Sequence, residues 1–338
     1  MTEFSGLDTA NRPFFFQTNR PFHEAWYYLI DLPEQDAALW CRHTLVRPPQ
    51  QQAYAELWGL WFESQKPTQT FREVFPLDSV RNSDKFFFVQ TGKSWLRSQG
   101  ALGYLNQAGQ SLHWDLDFEA GPPPHFPNLP NLPKYLSNYL QAGHFCTPMP
   151  HLLCSGKIVF NGERYTLDQE PGMLGHIWGS SQPQSWVWVH CNTFLEDAET
   201  RLEGVSANLV LGPLRLPAQT FSLCYRGKSF EWGPLTPTWQ FKKGQQSGTC
   251  QFKGESGEWR FEAKFAVESQ PLAQNNWASL DGQAKTWLCS KRGNAQLSVY
   301  HKQGGGWNLV EVLHAHETCS LEWVLPCKEK QTRRQHGN

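Results

Sequence analysis

The chain predicts an all-β protein: two consecutive antiparallel β-barrel or sandwich units with little helix. Three observations carry this. Short alternating runs rich in Val, Ile, Phe, Tyr and Trp recur along nearly all of its 338 residues, bounded by Gly, Pro, Asn and Asp clusters. Helix-type periodicity is confined to two short stretches. Two segments about 160 residues apart echo one another, each an aromatic strand, an acidic turn and a second strand.

In order, AWYYLIDL (25–32) turns through Pro33–Asp36 into ALWCRHTLV (38–46), a hairpin. Further strands follow, including AYAELWGLWFE, ALGYLNQ, SLHWDLDFE, KIVFNGERYTLD, SWVWVHCNTF, EWRFEAKFAVES and CSLEWVLP. Gly304–Gly306 reads as a hairpin turn, because no Lys-Ser/Thr and no helix follow it as in a phosphate loop. In WDLDFE (114–119), Trp114, Leu116 and Phe118 alternate with Asp115, Asp117 and Glu119, the solvated side of a strand. The helix candidates are PKYLSNYLQAG (133–143) and part of TFREVFPLDSV. The proline-rich stretch 121–133 cannot be a central strand; it suits a lid or a connector. The expected units are 12–172 and 173–327, with a polar tail at 328–338.

Bulk composition excludes several classes. Formal net charge is −1, with no basic stripe for nucleic acid and no polybasic run for an anionic membrane. No run reaches the roughly 18 apolar residues of an integral membrane segment, and the N-terminus carries no secretory pattern. Peripheral membrane contact and oligomeric state are left open. Nine scattered cysteines without a C-x-x-C pair read as reduced thiols, hence a cytoplasmic protein. His314-x-His316 could contribute to a metal site but lacks an assured third ligand, so no metal and no cofactor is expected.

The outlier is aromatic content, with 16 Trp and 22 Phe against 3 Met. It is densest at GHIWGSSQPQSWVWVHCN (175–192). Strand parity places His176 with Trp178, and Trp186 with Trp188, His190 and Asn192. Glu24 shares parity with Trp26 and Tyr28. Rings with imidazoles among them suit a large apolar or unsaturated ligand; the bland alternative is an aromatic core with satisfied histidines.

The H-x-W-G element at His176, Trp178 and Gly179, the following W-x-W, and HEAWYY (23–28) resemble the tandem lipocalin-like proteins: carotenoid 1,2-hydratases (hydroxyneurosporene synthases), AttH-type proteins and tocopherol cyclase. Ala25 stands where the cyclases favour glycine, and Leu174-Gly175-His176 replaces their acidic-basic pair. The resemblance implies two barrel-like units holding an isoprenoid-like hydrophobic small molecule, such as a carotenoid or quinol. Hydration or cyclisation of an alkene needs a proton donor and electron-rich faces around the cation. The expectation is therefore His176 or Glu24 as donor, with Trp26, Tyr28, Trp178, Trp186 and Trp188 shaping the pocket and His190 and Asn192 orienting the ligand. Two rivals remain: a non-catalytic lipid carrier or stress-protective binder, and a carbohydrate-binding protein with exposed coplanar tryptophans.

Overall fold

The computed structural model describes residues 4–121, 143–211, 214–233, 238–243, 248–267 and 272–327. Residues 122–142, which hold most of the proline-rich stretch and of one expected helix, lie outside these, as does the 328–338 tail.

The described chain is almost entirely antiparallel strand. Its first sheet contains β1 (Phe22–Leu32), β2 (Ala37–Arg47), β3 (Tyr54–Glu63), β4 (Gln69–Pro76), β5 (Val80–Asn82), β6 (Phe88–Thr91), β7 (Ser94–Arg97), β8 (Gly100–Gln107), β9 (Gln110–Ala120), β10 (His144–Phe160) and β11 (Glu163–Gly179). The second contains β12 (Ser185–Cys191), β13 (Arg201–Leu211), β14 (Leu214–Tyr225), β15 (Lys228–Trp232), β16 (Thr238–Lys243), β17 (Gly248–Ser256), β18 (Trp259–Val267), β19 (Ala273–Ala278), β20 (Ala284–Gln303) and β21 (Gly306–Pro326). TFREVFPLDSV is therefore β4 followed by a short 3-10 turn, not α-helix. Its Phe71 is needed inside the barrel on an alternating strand. A helix not expected from sequence, α1 (Phe4–Ala10), precedes the first strand.

Both sheets follow one plan. The first strand of each pairs with the second on one side and with the last on the other, β1 with β2 and β11, β12 with β13 and β21. The first sheet curls until β4 approaches β8, where the Arg72 amide donates to the Gln107 side chain at 2.9 Å. Strands divide between the sheets between Gly179 and Ser185, so residues 173–179 pair within the first sheet. The Gly-Ser-Ser-Gln-Pro-Gln stretch thus connects the two sheets. Gly304 and Gly305, at φ 58° and 86°, do turn the β20–β21 hairpin.

Each sheet encloses its own core. Trp26, Trp61, Trp114 and Phe71 fill the first; Phe221, Phe252, Phe261 and Trp323 fill the second. A third cluster lies between the sheets, joining Tyr27, Leu29, Trp40 and Phe62 to Trp188, Trp287, Cys289 and Val324. Consequently β1 is buried on both faces: Trp26, Tyr28 and Ile30 point into the first barrel, while Tyr27 and Leu29 point toward the second sheet. Polar ties reinforce the junction. Arg292 of β20 donates to Asp36 (3.3 Å), Ser64 (3.2 Å) and Glu317 (3.1 Å). Among the described residues no helix is long and apolar enough to cross a membrane.

Candidate functional site

The sequence-marked residues do not gather in one place. Glu24 and His176 meet inside the first barrel, with His176 Nε2 2.9 Å from Glu24 Oε1, and both side chains fully buried. Each is fully engaged. The Glu24 carboxylate accepts the Phe14 amide at 2.9 and 3.0 Å and the Phe15 amide at 2.7 Å. His176 Nδ1 lies 2.9 Å from the Ala10 carbonyl. The Glu24 carboxylate and the Ala10 carbonyl thus face the two ring nitrogens of His176. Trp26 stacks on that ring at 4.9 Å and donates its indole N–H to the Asn11 carbonyl at 3.0 Å. The pair thus pins the segment running from α1 to Phe15 across the barrel. Tyr28 lies in the same core.

Trp178 also stacks on the His176 ring, at 4.4 Å, and lines a different space, a cleft between the two sheets. Trp186 and Trp188 line that cleft too. It comprises two chambers, of about 140 and 250 Å³, that share His23, Trp40, Arg42, Gln182, Trp277 and Trp287. The smaller one is walled by Tyr27 and Trp40 from the first sheet and by Trp186, Trp188, Trp277 and Trp287 from the second. Trp40 and Trp287 meet across it at 5.5 Å, and Tyr27 meets Trp188 edge-on at 6.0 Å. Tyr27 lies over Gly175, its cross-strand neighbour; a Cβ there would sit 2.3 Å from the phenol ring.

Few polar groups reach this aromatic chamber. Arg42 Nη2 donates to His23 Nε2 at 2.8 Å, so that nitrogen carries a lone pair; burial holds His23 well below its usual range, and neighbouring Arg42 adds to this. Glu322 accepts the Trp186 indole N–H at 3.1 Å and lies 3.9 Å from Lys291 Nζ. The Lys291 ammonium sits 4.6 Å from the Trp188 ring, a cation–π contact. At the far edge of Trp188, Glu203 accepts that indole N–H and the Thr147 hydroxyl, both at 2.8 Å. Thr147 comes from β10 and Glu203 from β13, so this contact also bridges the sheets. Burial raises Glu203 to about 7 against the two hydrogen bonds.

His190 and Asn192 do not reach the cleft. His190 stacks beside Trp188 at 5.8 Å with neither ring nitrogen hydrogen-bonded, and burial drives it down to about 3. Asn192 donates to the carbonyls of Gly172 (2.9 Å) and Pro150 (3.3 Å), tying the sheets together. His314 pairs with Glu196 at 2.8 Å. Sequence reasoning missed His23, Tyr27, Trp40, Arg42, Trp277, Trp287, Glu203 and Glu322. The available signal was AWYYLIDL itself, apolar at every position before Asp31, which marks a strand covered on both faces.

Comparison with known proteins agrees with this architecture. Tocopherol cyclase of Zea mays is 21% identical over 274 residues, covering 65% of this chain but only 57% of the maize protein's length. Among solved structures, a protein described as AttH from Nitrosomonas europaea superposes with a TM-score of 0.53 at 12% identity, over 90% of this chain and 92% of that one. Kievitone hydratase from Nectria haematococca gives 0.51 at 11% identity, over 90% and 89%. At such identities the likeness shows the fold, the lipocalin-like one that the H-x-W-G and HEAWYY elements implied. The family model described as tocopherol cyclase-like matches residues 83–323, which run through both sheets and through most of the cleft's second wall, and the chain belongs to that family.

Proposed function

We propose that the inter-sheet cleft binds an isoprenoid-like ligand and that the protein adds a proton to one of its double bonds, leading to hydration or cyclisation. The observation that carries this reading is the convergence of Tyr27, Trp40, Trp178, Trp186, Trp188 and Trp287 from two sheets on one hollow that also holds a carboxyl group, Glu322. Protonation of a trisubstituted alkene leaves a tertiary cation. Indole faces stabilise such a cation by about 0.5–2 kcal/mol each, and desolvation strengthens the effect. Water then captures the cation in a hydratase, or the ligand's own hydroxyl does so in a cyclase; either nucleophile releases a proton that restores the acid. Glu322 is the carboxyl that lines the aromatic chamber and is the proposed proton carrier. In this reading Glu24 and His176 position the barrel rim beneath Trp178 and do not touch the ligand.

The maize relative is named a cyclase and the Nectria protein a hydratase, the two outcomes this reading allows, which supports it. Trp40, Trp188 and Trp287 are only 4, 5 and 7% exposed, unlike the open platform that stacks on sugars. The test is incubation with a prenylated hydroquinone, followed by mass spectrometry for a product heavier by one water or for an isomer of unchanged mass. Glu322→Gln is expected to lower turnover by at least about 100-fold while tryptophan quenching by the ligand persists. Binding without any product from the wild type would identify a carrier instead.

A further inference from the structure

Among the described residues Arg42, in the cleft, forms no ion pair, although Glu56 and Glu322 act on its charge from further off. It lines both chambers, and its one described hydrogen bond goes to the lone pair of a neutral imidazole, His23. Its Nε is buried with no partner. The nearby carboxylates are committed elsewhere: Glu56 to Arg72 and to the Trp58 indole, Glu322 to the Trp186 indole beside Lys291. Arg42 is half-buried with its Nε cut off from water, and pairing a guanidinium in such a site with a planar anion gains two parallel charge-assisted hydrogen bonds. Burial pulls Arg42 down from its usual range while the charges of Glu56 and Glu322 pull it up, and a bound anion would add to their effect. The larger chamber is also the more polar, with Asn275, Asn276 and Tyr54 in its lining.

We infer that the ligand is an amphiphilic acid: an isoprenoid-like body among the indoles of the smaller chamber and a carboxylate held by Arg42 where the two chambers meet. This rests on the cleft reading above and narrows its substrate class from neutral lipids to carboxylated ones. Arg42 is then a specificity-determining residue rather than a carrier of the proton.

Retinoic acid and retinol separate the two parts of the inference, because they share an isoprenoid polyene and differ in the end group. Their affinities for the full chain, for Arg42→Met and for Arg42→Lys are read by tryptophan quenching. The expected result is that the wild type prefers retinoic acid over retinol by about ten-fold or more, as for a charge-assisted pair. Arg42→Met should bring the acid to the affinity of the alcohol while leaving the alcohol within about two-fold; Arg42→Lys should keep part of the preference. Retained alcohol binding also reports that Arg42→Met is folded. Equal affinities in the wild type, or a preference that survives in Arg42→Met, would overturn the carboxylate assignment and leave the aromatic cleft standing. Failure of the wild type to bind either probe would overturn both.

Discussion

Glu24→Ala is expected to lose about 3–5 kcal/mol of folding stability, the cost of removing the shared acceptor of a buried hydrogen-bonded network. Three backbone donations from Phe14 and Phe15 and one from His176 end on this carboxylate, all within the first barrel. Removing it strands those amides in an apolar interior and leaves a fully buried imidazole with an acceptor only at Nδ1. The segment from Asn11 to Phe15 should then detach, giving trypsin access to Arg12. Denaturant titration and limited proteolysis measure both effects. Glu24→Gln keeps an acceptor and should lose distinctly less. If Glu24→Ala were as stable and protease-resistant as the wild type but failed to turn over substrate, the carboxylate would belong to the chemistry and not to the anchor.

Asp31→Asn is expected to act in the opposite sense, stabilising the protein above neutral pH. Asp31 lies on the β1 face turned toward the second sheet, fully buried, with neither carboxyl oxygen hydrogen-bonded. Burial raises it from 3.8 to about 8, although Arg292 and Lys291 pull the other way. The folded state therefore holds a proton that the unfolded chain releases near pH 4. Between about pH 4 and 8 each rise of one pH unit removes about 1.4 kcal/mol of stability per proton retained. The benefit is complete below the lower limit and lost once the pH passes the upper one. Glu203, raised to about 7, adds to the same slope between about 4.5 and 7. His23, His43 and His190, held neutral by burial when folded, take up protons on unfolding below about 6.5 and oppose this slope there, so the fall in the wild-type denaturant midpoint is expected between about pH 6.5 and 8. Asp31→Asn should flatten most of the fall, and the double variant with Glu203→Gln should remove nearly all of it. An unchanged slope in Asp31→Asn would mean that Asp31 is ionised in the folded protein and that an unseen partner compensates it.

The fold was legible because strand period and turn chemistry are local properties. The Pro33–Asp36 hairpin, the Gly304–Gly306 turn and the WDLDFE alternation follow from a few residues each. Pairing Glu24 with Trp26 and Tyr28 on one face was also within reach, since parity is fixed by the pleat. What parity cannot state is which face looks inward. In β1 the even residues Trp26 and Tyr28 fill the barrel, while in β12 the even residues Trp186 and Trp188 turn out toward the cleft. Val187, Val189 and Cys191 fill the second core in their place. Both alternations are apolar, so hydropathy does not choose between them. Nor does sequence spacing reveal that the stretch at 180–184 joins two sheets, because that depends on the last strand of each sheet returning beside its first. The cleft arises from that closure, bringing Trp40 to Trp287 across 247 positions of chain.

A structure solved with a prenylated hydroquinone or retinoic acid bound decides the central claim. Density for the isoprenoid chain between Trp40, Trp188 and Trp287, with its polar end toward Arg42, is the predicted result. Density inside the first barrel, with the ligand against Glu24 and His176 and the Asn11–Phe15 segment displaced, would contradict it.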